Sequence, residues 1–95
     1  MDSISGGVEN ICWGKNAKEK FDLVIKKIPI FLRGIAEQKV AQKAENLARK
    51  EKRAEVSEKD MVDAFFAETP FGFHGPMKTD MQAVGIDYTK YGYEK

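Results

Sequence analysis

The chain contains one cysteine, one histidine and one tryptophan among 95 residues. A lone cysteine, Cys12, excludes a disulfide framework within the chain. A structural zinc site takes four ligands, usually Cys and His, so Cys12 and His74 do not build one by themselves. No apolar run approaches the roughly 18 residues that a membrane helix needs. Residues 1–7 lack a basic stretch followed by an apolar one, so they do not read as a secretory signal. There is no G-x-S-x-G nucleophile turn and no Gly-rich phosphate loop opening a helix. A cytoplasmic protein is expected, with no membrane partner, no cofactor of its own and no activity on its own. The length suits one small domain with a modest core.

Charge is plentiful and uneven. A third of the residues are charged and the net charge is only +1. Residues 14–54 nevertheless hold twelve Lys and Arg against five acids, and residues 55–95 hold four against eight. A basic middle suits contact with phosphate or with an acidic protein face. It also suits a solvated helix surface, since pairs such as Glu45 with Arg49 stand four residues apart.

Apolar spacing predicts an all-α fold. Asn16 is a candidate N-cap, and Phe21, Val24, Ile25 and Ile28 then recur with the helical period. Ile28 is expected to end this helix, and Pro29 to open the next at its first turn, where the missing N–H costs nothing. The second helix carries Leu32, Ile35, Ala36, Val40, Ala44, Leu47 and Ala48 along one stripe. Gly34 weakens it by about 1 kcal/mol relative to alanine, and offers close approach to another helix. Ser57 and Asp60 form a capping-box pattern for the third helix, with Val56 and Met61 as its staple. The expected elements are helices over about 16–28, 29–53 and 57–68, behind a flexible arm at 1–12. An aromatic, Gly-rich tail at 69–95 follows. It carries one short helix over about 77–84, capped by Gly85.

The run Ile28-Pro29-Ile30-Phe31-Leu32-Arg33, with Trp13 before it and Ala48-Arg49 and Val56-Ser57 after it, resembles one family. This is the small helical domain at the C-terminus of the B subunit of light-independent protochlorophyllide reductase, which also occurs as free-standing proteins. The resemblance covers residues 12–68. The second helix is about one turn longer here, and Lys52-Arg53-Ala54 replaces a turn that often holds glycine. The resemblance implies a fold rather than a reaction, because the nitrogenase-like body that binds the iron–sulfur cluster and tetrapyrrole is absent. It implies an accessory or protein-interaction module that docks on a larger redox enzyme through a groove between the first two helices or through the tail.

The candidate binding residues are Trp13, Phe31, Arg33, His74, Tyr88, Tyr91 and Tyr93. Arg33 can tie down carbonyls at the end of the first helix or present a fork to a carboxylate or phosphate. His74 lies in a Phe-Gly-Phe-His-Gly-Pro loop, where it can hold a ligand or help close the loop over the core. The tyrosines suit an interface, or wrap back to thicken the core. Asp60 and Asp63 read as solvated surface. Nucleic-acid binding, favoured by the basic middle, is the alternative function, and haem or tetrapyrrole binding through Cys12 or His74 is the second.

Overall fold

Four helices dominate the described residues, 11–95, of this computed structural model: α1 (Lys15–Lys26), α2 (Ile30–Lys50), α3 (Glu58–Glu68) and α4 (His74–Ala83). The fold is all-α, as the apolar spacing predicts. Two short strands, β1 (Cys12–Trp13) and β2 (Glu55–Val56), pair in parallel with Trp13 opposite Val56. Residues 1–10 of the expected arm lie outside the described residues. Cys12 belongs to β1.

The strand pair dictates where α1 begins. Gly14, not Asn16, is the N-cap. Its N–H donates to the Val56 carbonyl at 3.0 Å. A Cβ at residue 14 would stand 3.3 Å from the Val56 carbonyl oxygen and 2.6 Å from Glu55 Oε2, so a larger residue there requires the Glu55 side chain to move aside. Asn16 instead lies inside the first turn, and its Nδ2 donates to Glu58 Oε1 at 3.1 Å. Trp13 leans its ring on Phe21 with centroids 4.8 Å apart. Its indole N–H donates to Glu45 Oε2 at 3.0 Å. One residue thereby ties β1 to both α1 and α2.

The core is formed where Phe21, Val24 and Ile25 of α1 meet Val40, Ala44 and Ala48 of α2 and Met61, Val62 and Phe65 of α3. Ala44, Ala48 and Ala64 are fully buried, and their small side chains let α2 and α3 approach closely. The buried stripe of α2 is shorter than its spacing suggests. Leu32 and Ile35 are exposed, and Leu47 is only half-buried. Helix lengths explain this. At 1.5 Å per residue α2 runs about 31 Å and α3 about 16 Å. A short connection sends α3 back beside the second half of α2, so the first turns of α2 extend past their partners.

α2 ends at Lys50, earlier than the expected 53, in a two-bond turn. Arg53 N–H donates to the Ala48 carbonyl at 2.9 Å, and Lys52 N–H donates to that of Arg49 at 2.8 Å. This is the Schellman arrangement, which favours glycine at its left-handed position. Lys52 occupies it with φ +60°. The side chain is exposed, so the strain serves no packing.

The turn delivers Arg53 to the start of α3. Its guanidinium donates to both carboxylate oxygens of Asp60, at 2.7 and 2.8 Å, and to the Glu55 carbonyl at 3.2 Å. Asp60 also accepts from the Ser57 N–H at 2.9 Å, while Ser57 Oγ accepts from the Asp60 N–H at 3.2 Å. The capping box is therefore present, with Asp in place of the usual Glu. Contrary to the solvated reading, Asp60 is only 4% exposed. Asp63 is half-buried and accepts from Lys59 and Tyr93. Burial alone would raise the Asp60 carboxyl, but bonds from Arg53 and Ser57 outweigh it and hold the group below the ordinary carboxylate range.

The tail folds back on the helices. Met77, Met81, Ile86 and Tyr88 are buried, and Tyr91 and Tyr93 pack against the core from its edge. α4 begins three residues before the expected 77 because Gly75 and Pro76 fall in its first turn, where proline gives up no hydrogen bond. Gly85 follows the Val84 cap with φ +85°, a left-handed geometry that glycine adopts freely.

Two outcomes follow. Lys52→Gly relieves the left-handed strain and should stabilise the fold by about 1 kcal/mol, raising the thermal midpoint by roughly 4–8 °C. Because Asp60 titrates lower in the folded chain, its contribution is complete above the unfolded carboxylate value of about 3.9 and disappears as pH falls through the lower folded value. Asp60→Ala should cost about 2 kcal/mol at pH 7 and flatten the acid limb of a stability–pH profile measured by urea unfolding.

Candidate functional site

The corner between α1 and α2 is built by Pro29 and Arg33. After Lys26 the chain tightens, with Ile28 N–H donating to the Ile25 carbonyl at 3.0 Å. α1 therefore stops before Ile28. Pro29 is the N-cap of α2 rather than its first helical residue, at φ −51° and ψ 139°. Arg33 reaches back from the first turn of α2. Nη2 donates to the carbonyls of Lys26 at 2.9 Å and Ile28 at 3.1 Å, and Nε donates to Ile28 at 3.3 Å. The guanidinium thus satisfies carbonyls that the end of α1 leaves open. It is committed to the corner and does not face outward as an anion fork.

The outer side of this corner is apolar. Ile30 is 77% exposed, Phe31 79% and Ile35 60%, and Leu32 is also exposed. Gly34 is three residues from Phe31 and four from Ile30, so it shares their face. Nothing lies within 4 Å of a Cβ built there. The close helix approach expected at Gly34 is not made within this chain. Lys26, Lys27 and Lys39 are exposed around the tip, with Glu37 the one exposed acid nearby in sequence. Exposed apolar residues scattered singly are ordinary, but four within six positions on one projecting turn form a patch.

A second surface lies in the C-terminal third. A cleft of about 450 Å³ is lined by Asp63, Phe66, Ala67, Phe71, His74, Lys78, Tyr93 and Glu94. Phe66 organises it. Tyr93 stacks on Phe66 with centroids 3.8 Å apart and planes at 5°, and His74 presents its ring edge-on at 5.1 Å. His74 Nε2 lies 2.9 Å from the Thr69 carbonyl. A carbonyl only accepts, so Nε2 is the donor in this contact. Tyr93 Oη donates to Asp63 at 2.6 Å. Burial and this bond push the Tyr93 hydroxyl up to about 12. Phe71 forms the outer wall and is 87% exposed.

The sequence-derived candidates therefore separate. Phe31 is on the tip, Arg33 supports it from behind, and His74 and Tyr93 line the cleft. Trp13 is a packing residue. Tyr88 is 2% exposed, and its hydroxyl accepts from Gln82 Nε2 at 3.2 Å, which makes it a core residue. Tyr91 is half-buried beneath Lys90, whose Nζ sits 5.5 Å from the ring centroid. Cys12 is exposed at the strand pair, with Sγ 3.6 Å from the Ala54 carbonyl. Among the described residues no group of three or more His, Cys, Asp or Glu is placed to hold a metal ion. Sequence reasoning missed Ile30 as a surface residue and buried Leu32 and Ile35. The readable signal was the unequal length of the second and third helices.

These features define a small all-α domain with an apolar tip and an aromatic cleft, and among the described residues no helix is long and apolar enough to cross a membrane. The chain belongs to the family described as Protein of unknown function (DUF2621), whose model matches residues 8–94. No curated protein and no solved structure matches it.

Gly34 gives a direct test of the open tip. With empty space at its Cβ, Gly34→Ala should stabilise the isolated chain by about 0.5–1 kcal/mol; a tip packed within the chain would lose stability instead. Tyr93→Phe should cost about 1 kcal/mol through the lost hydroxyl bond. Tyr93 titrates higher when folded, so its contribution is complete below the unfolded value of about 10 and declines as pH rises through about 12. The phenylalanine variant should lack that part of the alkaline decline in urea unfolding.

Proposed function

We propose that this chain is a non-catalytic interaction module that docks on a larger protein through the α1–α2 tip. One observation carries the reading: Ile30, Phe31 and Ile35 are each more than half exposed on a helical start that Arg33 ties to the end of α1. Aromatic and aliphatic anchors on a pre-ordered element contribute more to binding than the same residues on a loop, because less conformational entropy is lost. Lys26, Lys27 and Lys39 fit a partner whose apolar socket has an acidic rim. The resemblance of the Ile28–Arg33 joint to the small domain of light-independent protochlorophyllide reductase directs the search to larger iron–sulfur or tetrapyrrole enzymes.

Nucleic acid is the alternative occupant suggested by the basic residues 14–54. The apolar tip weighs against it, since phosphate contacts are made by cations and polar groups and not by Ile30 or Ile35. Salt separates the two readings. Nucleic-acid binding falls steeply with added salt, whereas an apolar anchor retains most of its affinity.

Affinity capture from the native host with wild-type chain and Phe31→Glu tests the proposal. A larger enzyme retained by the wild type, lost by the variant and rebound as a purified protein is the expected result. Equal retention by both chains would exclude the tip as the docking surface.

A further inference from the structure

The α1–α2 tip is set apart by shape, charge and backbone. Successive helical residues are turned by about 100°, so Ile30, Phe31 and Leu32 fan out over about 200° of the perimeter of α2. All three are exposed, and Ile35 continues the apolar surface one turn on. No single flat partner face touches them all. Residues 23–36 include Lys26, Lys27 and Arg33 and no acid. Asp22, just before them, is held by Lys18 at 2.8 Å. Among the described residues Lys26, Lys27 and Lys39 make no ion pair. No side chain caps the start of α2. The Leu32 N–H turns back to the Pro29 carbonyl at 2.9 Å, and those of Ile30 and Phe31 have no acceptor among the described residues.

We infer that the tip inserts into the surface of an anionic lipid bilayer, with Ile30, Phe31 and Ile35 at the acyl boundary and Lys26, Lys27 and Lys39 among the phosphates. The inference rests on the reading of the tip as a docking surface and gives it an occupant besides the larger protein. A fluid interface closes round side chains that point several ways, whereas a protein socket has to be preformed to enclose them. Interfacial apolar faces sit about 5–10 Å into the headgroup–acyl boundary. Along α2, Ile35 lies about 6 Å behind Phe31 and Lys39 about 12 Å. An end-on tip therefore submerges Ile35 and leaves the Lys39 ammonium at headgroup level. The long stems of Lys26 and Lys27 carry their charges to the same level. Anionic headgroups attract such cations, and their oxygens accept the open amides of Ile30 and Phe31. The expectation of no membrane partner concerned a spanning helix, which a surface contact does not need. One short apolar tip and a few cations hold a membrane reversibly, so a tighter protein partner takes the tip from the lipid.

The test is co-sedimentation of the full chain with vesicles of phosphatidylcholine alone and of phosphatidylcholine mixed with phosphatidylglycerol, at low and high salt. The variants are Phe31→Glu, Lys26→Glu with Lys27→Glu, and Phe71→Glu, which places the same charge on an exposed aromatic residue away from the tip. All four side chains are exposed, and circular dichroism checks that the variants fold. The expected result is wild-type binding to the anionic vesicles, severalfold weaker at high salt and absent on phosphatidylcholine alone. Phe31→Glu should bind about tenfold less or worse, the loss of one buried aromatic side chain. The double lysine variant should bind severalfold less, and Phe71→Glu should bind as the wild type does. A wild type that leaves the anionic vesicles unbound overturns the inference while leaving Phe31-dependent capture of a larger enzyme intact. Binding that survives Phe31→Glu, which is adsorption by the basic residues alone, overturns it, as does equal loss in Phe71→Glu. Vesicle binding that depends on Phe31, with capture that does not, supports the lipid contact and removes the protein partner instead.

Discussion

One constraint shapes this molecule: α2 is nearly twice as long as either helix that packs on it. A helix of about 31 Å is set beside partners of about 16 and 18 Å that share its second half, and part of its apolar stripe is left exposed. The second half, with Val40, Ala44 and Ala48, lies in the core, and the first turns carry their isoleucines and phenylalanine into solvent. Nothing in the chain's own energetics favours that exposure. Burying a large apolar side chain is worth about 1.5–3 kcal/mol, and the tip forgoes that gain at several positions.

The overhang is possible because its two ends are fixed independently. At the C-terminal end, the Arg53–Asp60 pair, the capping box at Ser57 and the strand pair lock the turn from α2 into α3. Trp13 joins the same region through Glu45. At the N-terminal end, Arg33 ties α2 to the last carbonyls of α1, on top of the apolar contacts the two helices make on their inner side. The corner therefore needs no apolar packing on its outer side to keep its angle. A corner ordered by hydrogen bonds and an exposed apolar face coexist there, a combination that suits a docking element.

Much of the fold was legible in the sequence. The apolar period placed three helices, Pro29 placed the corner, and Ser57 with Asp60 placed the start of α3. The errors have physical sources. Periodicity reports which face of a helix can be buried, not how far along its length a partner extends, so Leu32 and Ile35 were placed inside. The i,i+3 spacing of Asp60 and Asp63 looked like surface because Arg53, seven residues upstream, is brought to Asp60 only by the left-handed turn at Lys52. Gly75 and Pro76 read as loop, although a helix tolerates both in its first turn. The cleft was the least readable feature, since Phe66 and Tyr93 stack across a separation that no local pattern encodes. His74 and Tyr93 were legible as residues of interest by type, but not as neighbours.

Amide hydrogen exchange along α2 addresses the central claim most directly, because protection follows the local opening free energy of each segment. In the dilute isolated chain, strong protection is expected at residues 40–50, where the helix is packed. Markedly weaker protection is expected at residues 34–38, where the amides are hydrogen-bonded within the helix and, of their side chains, Ala36 alone packs against the core. Uniform protection along the whole of α2 would mean that the first turns are packed after all, and the docking tip would not exist.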